Sequence, residues 1–150
     1  MHVERWFVVL GAVFSIGSFT LSGPGYANGT SAYFVFEQQA PDKAIKQFVF
    51  RLDDAERIAE ARSILADGTN MKRSVQGIIV KSRASYNPEW SFHLDPATIG
   101  FFEMAIEVCD ANVTYVEEHL DEVGGSTLPG GHWCPWSSRL TAEVTDKIDH

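Results

Sequence analysis

A chain of 150 residues with 20 acidic and 12 basic side chains, net −8, is too short for two domains with separate cores. It is also too acidic for a binder of nucleic-acid backbones, which needs a basic footprint, and its cations Lys43, Lys46, Arg51, Lys72, Arg73, Lys81 and Arg83 are scattered among more numerous acids. That balance argues for solubility and, more weakly, for basic partners or cations.

The chain begins Met1-His2-Val3-Glu4-Arg5, runs apolar from Trp6 to Leu21 and ends that run in Ser22-Gly23-Pro24-Gly25-Tyr26-Ala27. This reads as a secretory signal peptide, residues 1–27, with cleavage expected after Ala27; a retained short anchor is the alternative. Cleavage would leave 150 − 27 = 123 residues, a single domain over 28–150, secreted or periplasmic and free of the membrane. Exported thiols are normally oxidised, so Cys109 and Cys134 are expected to pair, closing a loop of about 25 residues for about 3 kcal/mol by chain entropy. A reactive thiol or a soft metal site is the poorer alternative, because neither cysteine belongs to a CxxC.

Ala32 to Glu37 is aromatic and β-branched, as strands are, and Gln38 to Lys43 turns the chain. Phe48, Phe50 and Leu52 alternate with Gln47, Val49 and Arg51, predicting an antiparallel second strand over 46–52. Asp53 and Asp54 are N-cap candidates for a helix carrying Ile58, Ala61, Ile64 and Leu65 on one stripe, with Gly68 as its C′ residue. Val75 to Val80 is apolar on both parities, predicting a central strand in which Gly77 marks a bulge or a close approach.

Tyr86 to Cys109 holds the densest alternation: Trp90, Phe92 and Leu94, then Phe102, Met104, Ile106 and Val108 after the Asp95-Pro96 break. We expect a hairpin whose second strand runs over 102–108 after a single turn at 96–100; a helix starting at Pro96 is the alternative. Val113, Val116, Leu120 and Val123 predict a helix stopped by Gly124-Gly125, followed by a Gly/Pro loop to Gly131, the cluster Trp133-Cys134-Pro135-Trp136, and a polar tail from Thr141 expected to fray. The expected fold is α+β: a mostly antiparallel sheet of about five strands, two packed helices and one disulfide.

His93, Asp95, Glu103, Glu107, His119 and His132 are candidate metal ligands by type, but neither HExxH nor a DxDxDG loop holds them, so no metal and no cofactor are expected. No serine lies in GxSxG, and Glu103 and Glu107, about 13 Å apart on a strand, are too far separated for a glycosidase pair. No catalytic residue is assigned. Arg139 is expected to pair with Glu107 or Asp110. Asn28-Gly-Thr and Asn112-Val-Thr match the N-glycosylation acceptor pattern, which matters only in a glycosylating secretory pathway.

The segments Phe48–Leu65, Gly77–Lys81, Tyr86–Ile99 (YNPEWSFHLDPATI), Ala105–Ala111 and Trp133–Leu140 (WCPWSSRL) resemble a family of small secreted proteins commonly labelled calmodulin-binding proteins. The resemblance spans nearly the whole mature chain and implies a secreted domain with a Cys109–Cys134 bridge, and little about activity. Calmodulin grips basic amphipathic helices, whereas the late helix read here is acidic, so the label is not carried over as a partner. The leading expectation is a secreted, non-catalytic module binding an extracellular protein or ligand through Tyr86, Trp90, His93, Asp95, Trp133 and Trp136. An enzyme using His93, Asp95 and Glu107, or a protease inhibitor presenting 124–131 or 83–89, are the alternatives.

Overall fold

The computed structural model describes residues 31–67, 73–104 and 108–148. The expected signal peptide, its cleavage point, Gly68, Glu107 and the acceptor pattern at Asn28 lie outside these residues.

β1 (Ala32–Gln39) and β2 (Ile45–Leu52) pair antiparallel, from Ala32 opposite Leu52 to Gln39 opposite Ile45. The aromatic alternation sets this register, because Phe34 meets Phe50 and Phe36 meets Phe48 on the buried face, with ring centroids 6.0 and 5.2 Å apart. The turn between them is closed by Asp42, whose carboxylate accepts the Ala44 amide at 2.9 Å. α1 (Ala55–Ala66) begins where Asp54 accepts the Arg57 amide and buries Ile58, Ala61 and Ile64, as its stripe predicts.

β3 (Ser74–Val80) is the expected central strand, served by short pieces on both edges. β4 (His93–Leu94), a 3-10 turn (Pro96–Thr98) and β5 (Gly100–Phe102) follow one another along it, opposite Val80 to Ile79 and Gln76 to Ser74. The Ile78 amide donates to Thr98 Oγ1 and its carbonyl accepts from Asp95, whereas the Ile79 amide donates to Gly131. Successive residues of a strand direct their backbone groups to opposite edges, so the later segment takes the other edge. Gly77 is a close approach: a Cβ there would sit 3.4 Å from side-chain atoms of Leu94, Thr98 and Ile99.

Four expectations are corrected here. The hairpin over 86–109 does not exist, because β4 and β5 pair with β3 and not with each other. Of the strand expected over 102–108, positions 105–107 lie outside the described residues; in the rest, pairing ends at Phe102, opposite the first residue of β3, and Met104 and Val108 stand 80 % and 89 % exposed. The late helix is short: α2 (Val113–Glu118) ends at His119, and Val123 joins β6 (Val123–Gly124), pulled into a parallel pairing with β7 (Thr127–Pro129). The tail as far as Ile148 is ordered rather than frayed, since β9 (Arg139–Glu143) fills the free edge of β1 and α3 (Thr145–Ile148) follows it. Tyr33 closes that join by donating to Thr145 Oγ1 at 3.0 Å and accepting from the Val144 amide at 2.7 Å.

With β8 (His132–Trp133) on β3, the described residues hold nine strands and three α-helices in an α+β arrangement, the strand count raised by the short pieces along β3. The core lies between the β1–β2 face and β3, built from Phe34, Phe36, Phe48, Phe50, Phe92, Leu94 and Trp133. Cys109 and Cys134 are bridged and buried, Cα to Cα 5.2 Å, beside a hydrogen bond from the Cys134 amide to the Cys109 carbonyl.

Candidate functional site

The six residues singled out in the sequence do not form one surface. Trp133 has no exposed area: its ring meets Phe36, Phe48 and Phe92 edge-on at 5.4 to 5.7 Å, and Nε1 donates to the Ala111 carbonyl at 2.8 Å. Trp90 is 7 % exposed, packs on Phe48 and Phe92, and donates Nε1 to the Gln47 carbonyl at 2.8 Å. Both are core residues whose polar edge is satisfied by backbone, so neither presents its ring to a partner. Asp95 serves the 3-10 turn, accepting the Ala97 amide at 3.0 Å. His93 sits with Nδ1 2.6 Å from the Ser82 carbonyl, and Tyr86 lies half-buried between Tyr33 at 5.2 Å and His93 at 6.4 Å. Burial, opposed in part by nearby Arg51, raises the Tyr86 hydroxyl above its ordinary pKa of 10.0.

Trp136 is different. Its ring is 47 % exposed while its backbone is clamped, the amide donating to Asp110 at 3.0 Å and the carbonyl accepting from Ser74 Oγ at 3.0 Å. The turn around it is further tied by Ser138, whose amide donates to the Pro135 carbonyl and whose hydroxyl accepts from Val75. Gln38, buried in β1, reaches the same region by donating to Ser137 Oγ at 2.9 Å and accepting from Val113 at 2.9 Å. The expected Arg139 pair with Asp110 is therefore replaced by the Asp110 cap on Trp136. Val108, beside Cys109, adds exposed apolar surface next to the bridge. Trp136 is tied to Ser74 at one end of β3 and His93 pairs with Val80 at the other, about 20 Å away by strand rise. The Tyr86–His93 pair and the Trp136 turn are thus two separate places.

Sequence reasoning missed Val108 and Asp110. Val108 belongs to an alternating run that reads as half-buried strand, and Asp110 reads as a helix cap; only the backbone path shows one exposed and the other bracing Trp136.

The parts of the catalytic alternative are used elsewhere, His93 on Ser82 and Asp95 in its turn, with Glu107 beyond the described residues. Among the described residues no three His, Cys, Asp or Glu side chains converge in metal-binding geometry. A depression of about 690 Å³ runs between α1 and the 3-10 turn, lined by Asp53, Asp54, Glu56, Arg57 and Gln76. Its first two acids are committed, Asp53 to Arg51 at 3.0 Å and Asp54 to the α1 cap. The inhibitor alternative needs an exposed, extended loop. Both candidate loops are largely exposed, Leu128, Gly131 and Asn87 being their buried residues, and Arg83 donates to the Pro88 carbonyl across the second.

Fold and surface together define a small disulfide-bridged α+β domain whose distinctive exposed group is one tryptophan on a rigidly held turn. The chain belongs to the BP-74 N-terminal domain family, whose model matches residues 30–147. That match covers the segments carrying the family resemblance from Phe48 to Leu140 and says nothing of calmodulin. Comparison with curated proteins returned no match, nor did comparison with solved structures.

Proposed function

We propose that this domain is a secreted, non-catalytic binding module that holds an extracellular protein or ligand on the face formed by Trp136, Val108 and the rim of the Cys109–Cys134 bridge. The observation that carries the reading is the contrast within Trp136 itself: a fixed backbone under a half-exposed ring. An aromatic anchor pays little conformational entropy on binding when its main chain is already immobile, and such anchors dominate interface energies. The buried disulfide supports export, since bridges persist in oxidising compartments, and among the described residues no helix is long and apolar enough to cross a membrane. Calmodulin is not the partner we name, because α1, the longest described helix, balances Arg57 and Arg62 with Glu56 and Glu60.

The test is a photo-crosslinking phenylalanine analogue placed at position 136 of the purified domain, with the same analogue at exposed Glu56 as control, in extracellular material from the producing cells. The reading expects one discrete adduct from position 136, competed away by excess wild-type protein and not by Trp136→Ala. Equal competition by Trp136→Ala, or an adduct from position 56 alone, would remove Trp136 from the site.

A further inference from the structure

We infer that Asn112 is an acceptor for an N-linked glycan whose first sugar lies in the groove beside Tyr115; the inference rests on the secretory part of the reading above and not on the Trp136 surface. Asn112-Val113-Thr114 has the required spacing of amide and hydroxyl, with no proline between. The fold leaves the right atom available. Asn112 is partly exposed, and its Oδ1 caps α2 by accepting the Tyr115 amide at 2.9 Å, whereas Nδ2 makes no hydrogen bond among the described residues. Glycosylation consumes one Nδ2 hydrogen and leaves Oδ1 untouched, so the cap and the sugar are compatible on one side chain.

Thr114 sets when the transfer can occur. Its Oγ1 is buried with no hydrogen-bond partner, a cost that neither the helix nor the core needs, since α2 buries Val113 and Val116. With this hydroxyl buried in the folded domain, the transferase would have to engage Asn112–Thr114 before this part of the chain has folded. Space for the sugar is already present as an open groove of about 290 Å³ lined by Pro41, Asp42, Lys46, Thr114, Tyr115 and Glu118. Tyr115, 41 % exposed and backed by His119 at 4.1 Å, gives a sugar ring an aromatic surface, and Asp42, Lys46 and Glu118 give its hydroxyls polar partners.

In the transfer, Nδ2 displaces pyrophosphate from the anomeric carbon of a lipid-pyrophosphate-linked oligosaccharide. The N–C1 bond forms as the C1–O bond breaks, the lipid pyrophosphate leaves with the bonding pair, and Nδ2 loses one proton to the enzyme's base.

The experiment is expression of the full domain behind a vector-supplied signal in a glycosylating secretory host, followed by peptide mapping before and after peptide N-glycosidase in heavy-oxygen water. The expected result is a hexosamine-containing adduct on the peptide bearing Asn112, converted by the glycosidase to heavy-oxygen-labelled aspartate. Thr114→Ser should keep the adduct and Thr114→Ala lose it. Asn112→Asp should lose the glycan while retaining the helix cap, with a urea midpoint equal to that of wild type made in a host that does not glycosylate, which separates loss of the acceptor from loss of fold. An unmodified Asn112 peptide in the secreted wild-type protein, or a glycan confined to Asn28, would overturn the inference. Crosslinking through position 136 reads a different side chain, so either result can fail alone.

Discussion

Replacing each tryptophan that flanks the Cys134-Pro135 pair by alanine should give very different losses. Trp133→Ala removes a fully buried indole, for which core truncations cost about 3–5 kcal/mol. It also removes edge-on contacts to Phe36, Phe48 and Phe92, worth about 0.5–1.5 kcal/mol each though not additively, and the bond to Ala111, worth about 1 kcal/mol. A total near 5 kcal/mol is comparable with the whole stability of many domains, so Trp133→Ala should be largely unfolded or nearly so without denaturant. Trp136→Ala removes a ring already half in water and leaves both backbone clamps, so it should cost about 1 kcal/mol. Urea unfolding followed by far-UV circular dichroism, disulfide intact, reads both without depending on tryptophan fluorescence. Similar midpoints for the two variants, or a larger loss for Trp136→Ala, would refute the division into core and surface and would take the proposed recognition face with it.

Asn87→Ala should cost about 1–3 kcal/mol, because the buried Asn87 carboxamide accepts the Val49 amide at 3.0 Å and its removal leaves that amide without a partner; a urea midpoint near wild type would show that water takes its place. Replacing Cys109 and Cys134 together by alanine should lower stability by about 3 kcal/mol, and the unreduced, denatured wild type should show no titratable thiol. Glu143 titrates below its ordinary 4.5 because the Arg62 guanidinium donates to it twice, at 2.9 and 2.6 Å. A depressed folded-state pKa gives stability that is present above the unfolded value and lost as pH falls through the folded one. Glu143→Gln should therefore flatten the decline of the urea midpoint between pH 7 and pH 3, and an unchanged acid limb would contradict it.

The fold was legible wherever a local pattern and its long-range partner agreed. β1, β2 and β3 carry their alternation or apolar runs, α1 carries its aspartate cap, and the two cysteines pair with one another. It was not legible where a distant partner decides. The run from Phe102 to Val108 has a strand's periodicity, but β3 begins at Ser74 and the ladder ends there. Arg139 to Glu143 holds one buried apolar residue, Leu140, and becomes a strand because β1 has an edge to fill. The candidate site failed in a similar way: tryptophan is amphipathic, and whether its N–H meets a carbonyl inside, as in Trp90 and Trp133, or its ring meets water, as in Trp136, depends on neighbours far along the chain.

The join between Tyr33 and Thr145, 112 residues apart, orders events during synthesis. β1 emerges before β2 and pairs with it, yet its other edge stays bare until Arg139–Glu143 has also been made. Through that interval the nascent chain carries a phenylalanine-rich strand with an open ladder, the form in which β-rich chains self-associate. Cells making this domain should therefore gain from a holding chaperone that masks β1 until Arg139–Glu143 arrives. A chain truncated before Arg139 should accumulate as aggregate rather than as a smaller folded protein.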